Sequence, residues 1–147
     1  MPHINRSALL PFSDQKMFDL VNDVASYPHY MEGCVRAVVL EQTPASMVAA
    51  LHLEKAGIKM QFTTSNVLSA PKSIVMNLHE GPFESFEGRW FFQSLSPEAC
   101  KVILDLQFTL SGRLVNMAMR KLFDNVSNNM VDAMVKRARD IYGQCPS

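Results

Sequence analysis

Residues 81–92 read Gly81-Pro82-Phe83-Glu84-Ser85-Phe86-Glu87-Gly88-Arg89-Trp90-Phe91-Phe92. They hold the chain's one tryptophan and four of its nine phenylalanines. Gly81-Pro82 opens the stretch as a turn. Beyond it, Phe86, Gly88, Trp90 and Phe92 fall on one side of an extended chain, and Ser85, Glu87, Arg89 and Phe91 on the other. A period of two with one apolar side is the pattern of a strand lying over a core.

The same period extends in both directions. Ile58, Met60, Phe62 and Thr64 oppose Lys59, Gln61, Thr63 and Ser65; Ile74, Met76 and Leu78 continue the apolar set. Val102, Leu104, Leu106, Phe108 and Leu110 oppose Ile103, Asp105, Gln107 and Thr109, while Val48–Ala50 and Leu51–Leu53 hint at one more strand. One buried face and one wet face is the antiparallel habit. Before this region, His3–Pro11 fits a first strand. Ser13 or Asp14 then caps a short helix to about Val24, with Met17, Leu20, Val21 and Val24 at helical spacing. Pro28 and Gly33 punctuate a second helical turn.

After Ser111-Gly112 the period becomes 3.6. Val115, Met119, Leu122, Val126, Met130, Ala133, Met134 and Ile141 form a stripe to about Tyr142. Arg113, Arg120, Lys121, Asp132, Lys136, Arg137 and Arg139 supply the opposite surface. A helix of about 30 residues is roughly 45 Å long, whereas seven strands side by side span about 29 Å. One terminal helix can cross the whole sheet. The expected architecture is α+β: a single domain over residues 1–147, with about seven curved antiparallel strands around a long C-terminal helix and two short helices after the first strand.

Composition narrows the function. Fourteen basic residues balance fourteen acidic ones, so there is no general electrostatic drive toward DNA, RNA or an anionic membrane. Cys34, Cys100 and Cys145 are widely spaced and odd in number, which reads as free thiols in a reducing compartment. No secretory core precedes Pro11, and no apolar run reaches membrane-spanning length. The expectation is a cytoplasmic protein without a transmembrane segment, open to peripheral membrane contact. Ten methionines suit either a tolerant core or a plastic binding surface.

A twisted sheet cannot touch a straight helix everywhere. Gly88 removes side-chain volume between Phe86 and Trp90. The predicted cavity wall comprises Met60, Phe62, Thr64, Met76, Phe86, Trp90, Phe92, Leu104 and Leu106 from the strands, facing Met119, Val126 and Met130 of the helix. Such a wall is apolar and deformable, the usual character of a small-molecule site. A fully packed core is the competing reading.

Several short motifs together carry a family resemblance. Tyr27-Pro28-x-Tyr30 with Gly33-Cys34, Lys55-Ala56-Gly57-Ile58, Phe62-Thr63-Thr64, Met76-Asn77-Leu78, Gly81-Pro82-Phe83 and Gly88-x-Trp90-x-Phe92 resemble the bacterial RatA and mitochondrial coenzyme Q-binding proteins. These belong to the START-like, helix-grip superfamily of polyketide cyclases, dehydrases and lipid transporters. The resemblance spans nearly the whole chain. It implies a helix-grip fold whose cavity takes an apolar ligand, ubiquinone or a similar isoprenoid, with no cofactor required for chemistry. On the RatA side it implies association with the large ribosomal subunit and a block on subunit joining. Glu32 stands where relatives often have proline, and Glu84-Ser85 follows Gly81-Pro82-Phe83 where a basic pair can occur.

The main expectation is therefore a non-catalytic carrier, with a ribosome-binding toxin as the alternative and a cyclase as the third. Tyr27, Pro28, Tyr30 and Cys34, with Gly81, Pro82 and Phe83, are the expected entrance. Gln61, Thr64, Asn77 and Ser85 are the polar candidates to meet a quinone oxygen. Arg120, Lys121, Lys136, Arg137 and Arg139 are the candidate ribosome contacts, against a merely solvated helix face. Arg89 and Phe91 share the wet face in an arrangement suited to base stacking. Glu80 is the single candidate acid for a cyclase, with no partner to pair with it. No catalytic residue and no metal ligand is assigned, since His3, His29, His52 and His79 lack ligand spacing.

Overall fold

The computed structural model describes residues 3–112 and 116–143; Arg113, Val115 and Cys145 lie outside them. Strand β1 (His3–Leu10) leads into helix α1 (Asp14–Asn22) and a 3₁₀ turn at Val24–His29. Six strands follow: β2 (Cys34–Thr43), β3 (Ser46–Lys55), β4 (Ile58–Ser69), β5 (Ser73–Glu80), β6 (Phe83–Ser96) and β7 (Ala99–Leu110). Helix α2 (Met117–Tyr142) closes the fold. All seven strands form one antiparallel sheet in the order β1-β7-β6-β5-β4-β3-β2. This is the expected helix-grip architecture.

Both helices begin on side-chain caps. Ser13 accepts from the Lys16 amide, and Asn116 from the Met119 amide, each satisfying a donor that has no partner in the first turn. Gly33, ahead of β2, has φ +90°, and a Cβ there would stand 2.7 Å from Val126. Only glycine lets this corner approach α2 so closely.

The quoted stretch becomes β6, at the middle of the sheet. Ile74, Trp90 and Leu104 are register partners across three strands and are all buried. The next row runs Met47, Asn66, Met76, Gly88, Leu106 and Ile4 from β3 to β1. Gly88 leaves no hollow of its own: a Cβ there would meet the Met76 methyl at 2.5 Å and Leu106 at 3.2 Å. The volume that glycine gives up is taken by its neighbours, because the methionine side chain bends over it.

Helix α2 packs chiefly on β1 and β4, with smaller contacts to β3, β7 and α1. Its buried stripe is Leu122, Phe123, Val126, Ser127, Val131, Met134 and Ala138. Ala133 lies at the margin of that stripe, and Ile141 is 46% exposed near the helix end. The buried stripe thus takes in Phe123, Ser127, Val131 and Ala138, which the expected stripe left out.

Candidate functional site

An apolar cavity of about 50 Å³ lies between the sheet and α2. Met76 and Ile74 of β5 and Phe86 and Trp90 of β6 form its floor. Ala49, Leu51 and Leu53 of β3, Phe62, Thr64 and Asn66 of β4, and Leu104 and Leu106 of β7 complete the sheet side. Phe123, Val126, Ser127 and Met130 roof it from α2, and Val21, Asn22, Val24, Tyr27 and Met31 close the end.

Nine of the twelve expected wall residues are in this lining: Phe62, Thr64, Met76, Phe86, Trp90, Leu104, Leu106, Val126 and Met130. Three sit elsewhere. Met60 is buried, but β4 carries it beyond the chamber, beside an outer groove with Leu53 and Gln61. Phe92 lies under α1, its ring edge-on to Phe18 at 5.6 Å. Met119 is half-buried in the first turn of α2. Near that end, the rings of Phe62, Phe83, Phe86, Phe108 and Phe123 pack edge-to-face at 4.7–6.4 Å and occupy the space.

The expected entrance residues divide. Tyr27 is a wall residue whose hydroxyl donates to the Val21 carbonyl, and burial holds its pKa well above the ordinary phenol value. Pro28 is half-buried inside the 3₁₀ turn. Tyr30 faces an outer groove beside α2, bonded to Met134 sulfur at 3.0 Å, with the Arg137 guanidinium 5.1 Å from its ring centre. Cys34 is buried off the cavity, its thiol pushed up to about 11 by desolvation. Gly81 and Pro82 are half-buried, and Phe83 belongs to the aromatic cluster. A Cβ at Gly81 would stand 2.7 Å from Phe62 Cβ, so this turn is held shut on β4. The cavity shares Met31 and Val126 with the groove beneath Tyr30, and Asn22 and Val24 with a groove lined by Asp19, Val39 and Met47.

Sequence reasoning missed the polar groups that matter most. Gln61 and Asn77 are exposed on the outer face, and Ser85 is half-buried away from the lining. Thr64, the one expected polar candidate in the lining, is 5% exposed; Asn66 and Ser127, which were missed, are 5% and 2% exposed there. The side-chain oxygens of Asn66 and Asn22 are buried without any partner. Such a state is costly unless something else fills the site. Asn66 was legible, since it continues the 60, 62, 64 face by one more step of two. Tyr27 is the one ordinarily titratable side chain in the wall. Glu80 is exposed at the end of β5. Arg89 pairs with Glu87 on the outer face, beside Phe91 at 38% exposure. Among the described residues no three His, Cys, Asp or Glu groups converge on a metal position, and no helix is long and apolar enough to cross a membrane.

Fold and cavity together define a START-like, helix-grip domain. The polyketide cyclase / dehydrase and lipid transport profile matches residues 10–135, and the chain belongs to that family. Within it, the chain is 47% identical over 144 residues to the ribosome association toxin RatA of Vibrio cholerae, covering 98% of this chain and 100% of that one. The mitochondrial coenzyme Q-binding protein COQ10 homolog B of Xenopus laevis is 26% identical, covering 95% of this chain and 59% of that protein. Among solved structures, the Zhui aromatase/cyclase of Streptomyces sp. R1128 superposes with a TM-score of 0.78 at 19% identity, covering 97% and 98% of the two chains. A START superfamily protein of Mycobacterium smegmatis gives 0.77 at 19% identity, over 95% and 98%.

Proposed function

We propose that this protein is a RatA-type ribosome-association factor that docks on the large ribosomal subunit and blocks subunit joining. The observation that carries this reading is the 47% identity to a protein named a ribosome association toxin, along essentially the full length of both chains. The surface of α2 supports it. Lys121, Lys136 and Arg139 are exposed and available to phosphate, whereas Arg120 and Arg137 are half-buried, the latter over Tyr30. Ribosomal RNA is the chemistry that exposed basic residues on a neutral chain would meet. Sedimentation of purified subunits with the protein tests the reading. The expected result is co-migration with large subunits, weakening steeply with salt, and loss of the joined particle. Absence of co-migration at low salt overturns it.

A second reading rests on the cavity: a non-catalytic site for a compact, mostly apolar ligand. Among the described residues its wall offers no carboxylate, imidazole or amine for proton transfer. That composition favours binding over the cyclase chemistry named for structural neighbours. At about 50 Å³ the chamber is well below the roughly 300–1,000 Å³ of ordinary ligand sites. An isoprenoid such as ubiquinone would need Met31, Met76 and Met130 to give way. Unbranched, polarizable side chains are the ones best able to do so. Mass spectrometry of lipid extracted from protein purified from its native host tests this: a stoichiometric bound molecule is expected, and an empty extract counts against it.

A further inference from the structure

We propose that the cavity selects a compact apolar molecule carrying one hydrogen-bond donor, of which a phenol is the simplest case, and that Asn66 reads that donor. The inference rests on the cavity reading above and adds the polarity of the ligand.

Asn66 is 5% exposed, points inward from β4, and has a carboxamide oxygen that no protein group meets. An unpaired buried acceptor is unfavourable, and a leucine of similar size would avoid it. Register explains why the space beside it is open. Asn66 pairs with Met76, and Met76 pairs with Gly88. The Met76 methyl lies where a Cβ of residue 88 would be, so the methionine leans over β6 and away from the amide. Asn22 brings a second orphaned oxygen to the same chamber. It also lines the outer groove with Met47, the β3 partner of Asn66, so both amides lie at one end. The opposite end is walled by Phe62, Phe86 and Phe123. One polar end and one aromatic end suit a ring with a single hydroxyl, which the chamber of about 50 Å³ takes in as Met31, Met76 and Met130 give way. An oxidised quinone carries acceptors alone and leaves the Asn66 oxygen unmet; a phenol or quinol supplies the missing proton.

The test titrates the full chain with p-cresol and with toluene, which share a methylphenyl body and differ by the hydroxyl. Calorimetry is read together with side-chain amide ¹⁵N–¹H spectra. Wild type is expected to bind p-cresol about tenfold more tightly than toluene, with the Asn66 amide signals shifting for p-cresol. Asn66→Leu is expected to lose that preference and to melt at a higher temperature than wild type. Equal affinity of wild type for the two probes, or Asn66 signals that ignore p-cresol, overturns the inference while leaving the cavity reading standing. A Leu variant that keeps the preference also overturns it. The wild-type comparison and the amide spectra decide the matter if that variant does not fold. Failure of wild type to bind either probe overturns the cavity reading and this inference with it.

Discussion

Gly88 and Met76 face each other across β6 and β5 at a separation that leaves no room for one more carbon: a Cβ on residue 88 would stand 2.5 Å from the methionine methyl. The contact is with the far end of a flexible side chain, and Leu106 Cδ1 follows at 3.2 Å. Gly88→Ala is therefore expected to fold, with a stability change within about 1 kcal/mol, as strand entropy gained offsets local crowding. Its larger effect falls on the cavity, because the displaced methyl must swing toward Asn66. Weaker p-cresol binding with a nearly unchanged urea midpoint is the expected pair of results; unchanged binding would show that Met76 relaxes elsewhere.

Tyr27 closes the C-terminal end of α1 from outside the helix. Its hydroxyl donates to the Val21 carbonyl, one of the last-turn acceptors that no helical amide can reach. Tyr27→Phe leaves that carbonyl buried and unpaired. The expected loss is about 1–3 kcal/mol in urea denaturation. Measured stability equal to wild type would mean that water or another donor replaces the hydroxyl.

Cys34 and Cys100 are both buried, and desolvation raises each thiol from 9 to about 11. A group whose folded pKa is raised stabilises the protein fully below its unfolded value and less as pH climbs through the folded one. The thiols' contribution to stability should therefore be constant below about pH 9 and fall from there to about pH 11. The cysteine-to-alanine double variant should show a shallower fall between pH 9 and 10. At pH 8 neither thiol should be alkylated until denaturant is added, as peptide mass spectrometry would report. Rapid native labelling of either one contradicts the burial argument.

Lys136→Glu with Arg139→Glu reverses two exposed charges on α2 without touching the Arg137–Tyr30 stack. If α2 meets ribosomal RNA, the double variant should co-sediment with large subunits at least tenfold more weakly. Its salt dependence should also be shallower, at an unchanged melting temperature. Wild-type co-sedimentation by this variant would move the ribosome contact off this part of α2.

Much of the fold was legible because strands and helices announce themselves by period. The alternation around Trp90 and along Val102–Leu110 needs only local chain geometry to be read, and both faces are where that alternation puts them. The α2 stripe was read less sharply. A period of 3.6 places Phe123, Val131 and Ala138 as well inside as Ala133 or Ile141. The choice among them depends on which strands stop under each turn. At the site, seven wall residues followed from strand parity and two, Val126 and Met130, from the helical period. Asn66 lay one step further along the same face, and Asn22 and Met31 come from segments whose docking no periodicity records.

By itself the chain determined which residues face inward, the order of its elements and the greasy character of its interior, since these follow from backbone periodicity and side-chain transfer from water. Only the tertiary structure decided how much of that interior stays empty and which polar atoms are stranded within it. Those depend on side-chain packing across strands far apart in sequence. The bend of one methionine over one glycine helps set the space beside Asn66, and no local pattern encodes that bend.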